Sequence, residues 1–181
     1  MKKSLKKISN IVFLVLFISL IAVLIGEKNI FNNKNLTKSE LVEKLRQVKD
    51  GSKLSFSLGE KSYFFEIVNS STSRILGLSG RDEIGSDGLL FVFNKKDFHS
   101  IWMKEMKFNI DLIWIVDGEV VDITYGLQAP LNYEALETLP TYSPSVPIDI
   151  LIEVNEGFVE EKNINIGDRL VCNETIYEAI Y

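Results

Sequence analysis

Two strand-like runs, Ile110 to Val116 and Glu119 to Thr124, flank the dipeptide Asp117-Gly118. Both central residues of a type I′ turn need positive φ, so this stretch predicts a two-residue β-hairpin. The same vocabulary recurs along the chain. Leu54, Phe56 and Leu58 alternate with polar residues, Tyr63 to Val68 follows the turn Gly59-Glu60-Lys61, and Leu89 to Phe93 is an apolar run too short for a helix. Ile148 to Val154 closes at Asn155-Glu156-Gly157, and Ile164 to Val171 supplies a last turn and strand. Seven or eight strands with few helices predict a mainly β domain, a compact antiparallel β-barrel or sandwich with one or two short helices.

Helical signals are sparse. Thr37-Lys38-Ser39-Glu40 has the form of a capping box, Leu41, Val42, Leu45 and Val48 repeat at helical spacing, and Asp50-Gly51 is a stop. A short amphipathic helix over 38–49 is expected to pack on the domain. Ser70 to Ser73 offer capping hydroxyls before Arg74 to Leu78, which predicts a helical turn ending at Gly80. Gln128 to Pro147 holds all four prolines and reads as a long loop.

The N-terminus combines Lys2, Lys3, Lys6 and Lys7 with an apolar run from Ile8 to Ile25. A helix through that run would be roughly 27 Å long, close to a hydrocarbon core of about 30 Å. Bulky Leu24 stands where a cleavage site before Gly26 wants a small residue, so an uncleaved transmembrane signal anchor is favoured over a cleaved signal peptide, which would leave the protein secreted. The basic flank places the N-terminus inside and the rest outside. The expected organisation is a cytoplasmic basic segment (1–7), an anchor (8–26), a linker with the short helix (27–52), the β domain (53–172) and a tail (173–181), in a single-pass membrane protein with an extracytoplasmic domain.

Four of the 20 basic residues precede the span and all 25 acidic ones follow it, which leaves the exported part at −9. Such a domain has little electrostatic support for binding nucleic acid. Cys172 is the only cysteine, so an intramolecular disulfide and a Cys-rich zinc site are both excluded. The core must supply the stability.

Several separated motifs, in order, resemble the signature of the prokaryotic family known as domain of unknown function 192. They are Arg74-x-x-Gly77-Leu78 with Arg81, Gly88-Leu89-Leu90-Phe91-Val92-Phe93, Ile101-Trp102-Met103-Lys104, Ile110-Asp111-Leu112, Tyr142-Ser143, Ile150 to Val154 with Gly157, and Ile166-Gly167-Asp168. The resemblance covers roughly Phe56 to Val171 and implies a compact β fold, frequent export signals and no established activity. Glu105-Met106 replaces the Asn-Thr that usually follows the family's Lys, and Leu89 stands where Met is common, a volume-conserving change.

The candidate chemistry is modest. His99 is the lone histidine and is expected to be a loop residue rather than a general base. Gly77-Leu78-Ser79-Gly80-Arg81 fails the G-x-S-x-G pattern at Arg81, which excludes a nucleophile elbow. Asp111, Asp122, Asp149 and Glu153 show no metal-ligand spacing, so no metal and no cofactor is expected. Asp111, set among Ile110, Leu112 and Ile113, is expected to bridge Arg74 or Arg81. Alternation puts Trp102 and Lys104 on one face of an extended segment and Met103 on the other. A Trp beside Lys and Arg suits a sugar ring or a carboxylate.

The expected role is therefore non-catalytic binding of a small polar or glycan ligand of the cell envelope. Arg74, Arg81, Trp102, Lys104 and Tyr142 would make the site, with Asp111 and Glu153 as orienting carboxylates. One alternative is an enzyme acting on envelope glycans through Asp111 and Glu153 as an acid/base pair. Another is a protein-interaction module docking on the proline-bearing loop. Oligomeric state is left open.

Overall fold

A computed structural model of the chain describes residues 37–130 and 139–173. The chain divides into Met1–Asn32 and Asn33–Tyr181, and every described residue falls in the second unit. The anchor expected at 8–26 thus lies outside the described residues, among which no helix is long and apolar enough to cross a membrane.

Nine strands and three short helices make up the described residues. In chain order they are α1 (Lys38–Leu45), β1 (Lys53–Leu58), β2 (Lys61–Val68), α2 (Ser71–Leu76), β3 (Gly88–Asp97), β4 (Ile101–Trp102), β5 (Ile110–Val116), β6 (Glu119–Leu127), β7 (Thr141–Tyr142), β8 (Ile148–Asn155), α3 (Phe158–Lys162) and β9 (Leu170–Cys172). The hairpin forms where the sequence predicts it, with Asp117 at φ 51° and Gly118 at φ 72°.

Seven strands form one sheet in the order β6-β5-β8-β3-β2-β1-β9, and β4 pairs with β7 in a separate ribbon. The sheet curls into a half-barrel. Its edges approach through Val120 N–H to Asp168 O and Leu170 N–H to Gly118 O, each 2.9 Å, beside the bridge Glu119↔Arg169. The expected all-antiparallel barrel or sandwich needs correction on one pairing: β2 and β3 run parallel, Phe65 facing Gly88 and Val68 facing Phe91. No tight turn can join parallel neighbours, so residues 69–87 must cross the sheet to bring the chain back.

Alternation along each strand divides the core in two. The inner cluster gathers Phe56, Phe65, Ile67, Leu90, Val92, Ile113, Ile150, Ile152 and Leu170, and is covered by Leu41, Val42 and Leu45 of α1 and by Phe158 and Val159 of α3. The outer cluster lies on the opposite face of β3, β5 and β8. There Leu89, Phe91, Leu112, Trp114 and Leu151 are covered by Leu78 and Ile84 of the crossover and by Met103 and Met106 of the loop after β4. Outside that cover the outward face of β1 and β2 is open to solvent, with Ser55, Ser57, Ser62 and the exposed Phe64.

Helix α1 keeps the expected capping box: Thr37 N–H donates to Glu40 at 2.8 Å and Glu40 N–H to Thr37 Oγ1 at 3.4 Å. It ends at Leu45, earlier than the sequence predicts, and passes into a tighter turn in which Val48 N–H bonds Leu45 O. Asn69 Nδ2 donates to Leu45 O at 3.1 Å and Val48 O at 2.6 Å. The Asn69→Ala variant leaves these acceptors without that donor and should lose about 1–3 kcal/mol. A fall in the urea midpoint at constant m-value checks this, and an unchanged midpoint would show that solvent replaces the side chain.

Candidate functional site

The crossover is built from short-range hydrogen bonds. Ser70 caps α2 by accepting the Ser73 amide at 3.1 Å, and Asp50 accepts Ser70 Oγ at 3.0 Å and Ser73 Oγ at 2.8 Å. Arg74 reaches back with its guanidinium to the carbonyls of Asn69 and Val92. Past α2 the chain turns through Gly77, at φ 49° and ψ −125°, and drops Leu78 into the outer core. Ser79 Oγ then donates to Lys104 O at 2.7 Å and Gly80 N–H to Glu105 O at 2.9 Å. The crossover and the Trp102 loop are thereby joined into one cover.

Beneath that cover lies a row of paired residues running across the sheet. Lys53 faces Glu66, Glu66 faces Leu89, Leu89 faces Glu153, and Glu153 faces Leu112. Two carboxylates therefore share the outer face, separated by two strand spacings or about 10 Å. Arg81 descends from the crossover and forks onto Glu66, with Nη1 2.9 Å from Oε2 and Nη2 2.8 Å from Oε1. Such bidentate pairs are strong and directional.

Glu153 is held differently. It is 5 % exposed, and its Oε2 is buried with no hydrogen-bond partner among the described residues, a condition shared only by the Tyr63 hydroxyl of the inner core. Burial pushes its pKa up to about 8, although the nearby Arg81 charge pulls the other way. Burial thus favours the protonated form of this side chain. Gly77 lies over it: a Cβ there would stand 3.9 Å from Glu153 Oε2 and 3.3 Å from Phe91 Cζ. A side chain at this position would press on the Phe91 ring.

The structure brings together Arg81 and Glu153, and sets Trp102 and Lys104 on the adjoining loop. Trp102 is 43 % exposed, with the Lys104 ammonium 5.8 Å from its ring centroid, while Met103 points into the outer core. The alternation expected for this motif is present. Tyr142 pairs with Ile101 and packs inward with it against the outer core, so it does not share the exposed side of Trp102.

Arg74 and Asp111 require correction. Arg74 is occupied by backbone carbonyls, and the expected Arg to Asp111 bridge does not form. Asp111, 1 % exposed, accepts the amides of Gly126 at 2.8 Å, Gly157 at 2.9 Å and Val159 at 3.4 Å. Backbone donors fix the carboxylate between β6 and the start of α3, where an arginine is not needed. Asp111 also pairs with Val154 whereas Glu153 pairs with Leu112, which puts the two acids on opposite faces of the sheet. An acid/base pair flanking one glycosidic bond needs both carboxyls in one cleft. This geometry removes the paired-carboxylate enzyme.

Other acids do local work: Asp122 accepts the Ile123 and Ser145 amides, and Asp149 accepts the Asp117 amide. His99 stacks on Phe93 with ring centroids 3.7 Å apart and contacts Lys95 O, in keeping with a loop histidine. A separate polar groove of about 600 Å³ is lined by Lys61, Lys162 and Arg169 together with Glu60, Glu161 and Asp168. Its charges balance one another, as Lys162 with Glu161. The proline-bearing loop is described only in part, since 131–138 lie outside the described residues.

Fold and site define a small, mainly β half-barrel domain that carries a buried carboxyl with an unpartnered oxygen beneath a crossover. The chain belongs to the DUF192 family, described as an uncharacterized ACR, which matches residues 55–172. It is similar in fold to a protein from Sinorhizobium meliloti 1021 described provisionally as a transcription regulator. Identity is 24%, TM-score 0.58, with 68% of this chain and 96% of that one covered. A protein of unknown function from Novosphingobium aromaticivorans DSM 12444 is similar at 22% identity and TM-score 0.55, over 65% of this chain and 84% of that one. No curated protein matches the chain.

The sequence pattern missed Glu66 and gave Gly77 no role beyond its motif. The signal for Glu66 was present: a lone acid between Phe65 and Ile67 needs a cation, and Arg81 stands a crossover away. The exchange at 105 and 106 also has a physical reading. Glu105 adopts φ 55°, a left-handed conformation in which Asn is favoured over Glu, and Met106 is buried in the outer core.

Two outcomes follow from this geometry. The Glu105→Asn variant should gain about 0.5–1 kcal/mol, seen as a higher urea midpoint, and a loss would show that the Glu105 side chain matters more than its backbone. For Glu153, whose folded pKa lies above its ordinary 4.5, the unfolded chain ionises first as pH rises. Stability contributed by the neutral acid is complete below pH 4.5 and declines by about 1.4 kcal/mol per pH unit until the folded pKa near 8. Glu153→Gln should flatten that decline in denaturation curves measured from pH 5 to 8, and an equal slope in both proteins would place the titration elsewhere.

Proposed function

We propose that this domain is a non-catalytic binding module for a small polar or glycan ligand of the cell envelope, tethered outside the cell by its N-terminal anchor. The observation that carries the reading is the unpartnered, buried Oε2 of Glu153. An unsatisfied buried polar atom costs about 1–3 kcal/mol, and a partner brought by a ligand removes that cost. Over it pack Gly77 and Phe91, Arg81 of the same crossover is held by Glu66, and the loop joined to that crossover carries an exposed tryptophan with a lysine near its ring. Aromatic faces beside cations suit sugars and their polar substituents.

The residues proposed to meet ligand are Arg81, Glu153, Trp102 and Lys104, with Glu66 and Gly77 shaping the site. Arg74, Asp111 and Tyr142 support it from the backbone and the core. The apolar run 8–25 behind a lysine cluster, with all acids following it, supports the anchored and extracytoplasmic placement.

A thermal-shift screen of the full-length chain against envelope glycans, peptidoglycan fragments, small carboxylates and divalent metals tests the proposal. A ligand at a hundred times its Kd should add about 2.7 kcal/mol of stability. That shift should shrink in Trp102→Ala and vanish in the Trp102→Ala, Lys104→Ala double variant. A blank screen, or a shift indifferent to both substitutions, would overturn the assignment.

A further inference from the structure

The exposed pair on the loop after β4 is held from behind. Met103, between Trp102 and Lys104, is buried in the outer core, so both outer side chains hang from a fixed point. The Lys104 ammonium stands 5.8 Å from the Trp102 ring centroid, within the reach of about 6 Å over which an aromatic face attracts a cation. Glu105, exposed and 3.7 Å from the same ammonium, offers it an alternative partner. A lysine side chain has much rotamer freedom, so which partner it keeps depends on where its backbone is placed.

That placement comes from the crossover. Ser79 Oγ donates to Lys104 O at 2.7 Å, and Gly80 N–H donates to Glu105 O at 2.9 Å. Within the loop Met106 N–H returns to Met103 O at 3.3 Å, closing a turn in which Glu105 takes φ 55°. A glutamate in this left-handed conformation persists only where its surroundings over-determine it. Ser79 is itself firmly seated. Its neighbour Leu78 is buried in the outer core, its own amide bonds Leu76 O at 2.9 Å, and two residues further on Arg81 forks onto Glu66 of β2. The ion pair of Asp82 with Lys107 also links the two segments, but both its side chains are exposed, and such pairs contribute little. Among the described residues no other side chain of the crossover reaches the backbone of this loop.

Resting on the binding reading above, we infer that Ser79 is a positioning residue for the binding face: its half-buried hydroxyl fixes the Lys104 backbone so that the ammonium stands over the Trp102 ring, while Ser79 itself meets no ligand. Cation and aromatic face then act as one preset unit, and the entropy of ordering them is lost on folding and not on binding.

Trp102 and Trp114 are the two tryptophans of the chain, one exposed and one wholly buried in the outer core. Fluorine NMR of the full-length chain, labelled with fluorotryptophan and held in non-ionic detergent, therefore gives one resonance for the face and one for the fold, assigned by Trp102→Phe. Ser79→Ala should shift the Trp102 resonance and leave that of Trp114 in place, and Ser79→Thr, which keeps the hydroxyl, should restore the first. Lys104→Met should shift the Trp102 resonance in the otherwise native chain and add little in Ser79→Ala, where the ammonium has already left the ring.

An unmoved Trp102 resonance in Ser79→Ala or in Lys104→Met would overturn the positioning role, as would a shift that Ser79→Thr does not reverse or a full Lys104→Met effect in Ser79→Ala. Movement of Trp114 together with Trp102 would overturn it too, because the hydroxyl would then support the fold as a whole. None of these outcomes involves a ligand. The binding reading falls on a blank thermal-shift screen, whatever the Ser79 variants show.

Discussion

The parallel pairing of β2 with β3 is the constraint on which the rest of this domain depends. Antiparallel neighbours need only a tight turn, but parallel ones oblige the chain to travel back along the sheet before the next strand can start. Residues 69–87 make that return across the outer face, and the outer core exists because Leu78 and Ile84 come to rest there on Leu89, Phe91 and Leu151. Glu153 is buried for the same reason. On β1 and β2, where no crossover lies overhead, the outward positions Ser55, Ser57, Ser62 and Phe64 stay partly or fully exposed. The close pairing of β3 with β8 adds a second demand: a Cβ on Gly88 would meet Glu153 O at 2.8 Å, so the strand that follows the crossover has to begin with glycine.

Two carboxylates on adjacent strands show how environment separates a structural acid from a candidate functional one. Asp111 and Glu153 are both almost wholly buried, and their strands are hydrogen-bonded to each other. Asp111 meets three backbone amides, which satisfy it and tie β6 and α3 to the sheet. Glu153, one residue away in register but on the other face, meets aromatic and aliphatic side chains and an arginine already committed to Glu66. Desolvation without compensating donors favours the neutral form.

Much of the fold was legible in the sequence, because the signals involved are local. The Asp117-Gly118 hairpin, the capping box at Thr37 and the serine cap before Arg74 each depend on a few adjacent residues, and each formed as expected. The direction of β3 relative to β2 was not legible. Nothing in the run from Leu89 to Phe93 distinguishes a parallel from an antiparallel neighbour, since both faces of that strand are buried either way. Helix α3 escaped notice because five residues after a turn carry too little periodicity to register. The site was half visible: Arg81, Trp102, Lys104 and Glu153 could be named, but not which acid an arginine would choose. Arg81 took Glu66 and left Asp111 to the backbone, a choice made by the crossover and not by sequence spacing.

The tolerance of the fold for Glu153 follows from its two separate cores. A leucine in that place, like Leu112 beside it, would pack without an unsatisfied oxygen, and replacing buried polar groups with apolar ones of similar size is commonly neutral or stabilising. The domain carries the cost in the outer layer, where the cover is a crossover and a loop joined by the Ser79, Gly80 and Lys107 hydrogen bonds. The inner core, with contributions from β1, β2, β3, β5, β8 and β9 and two helices packed into it, does not depend on that layer. The outer face thus keeps an incompletely satisfied acid in a domain that the inner face holds together.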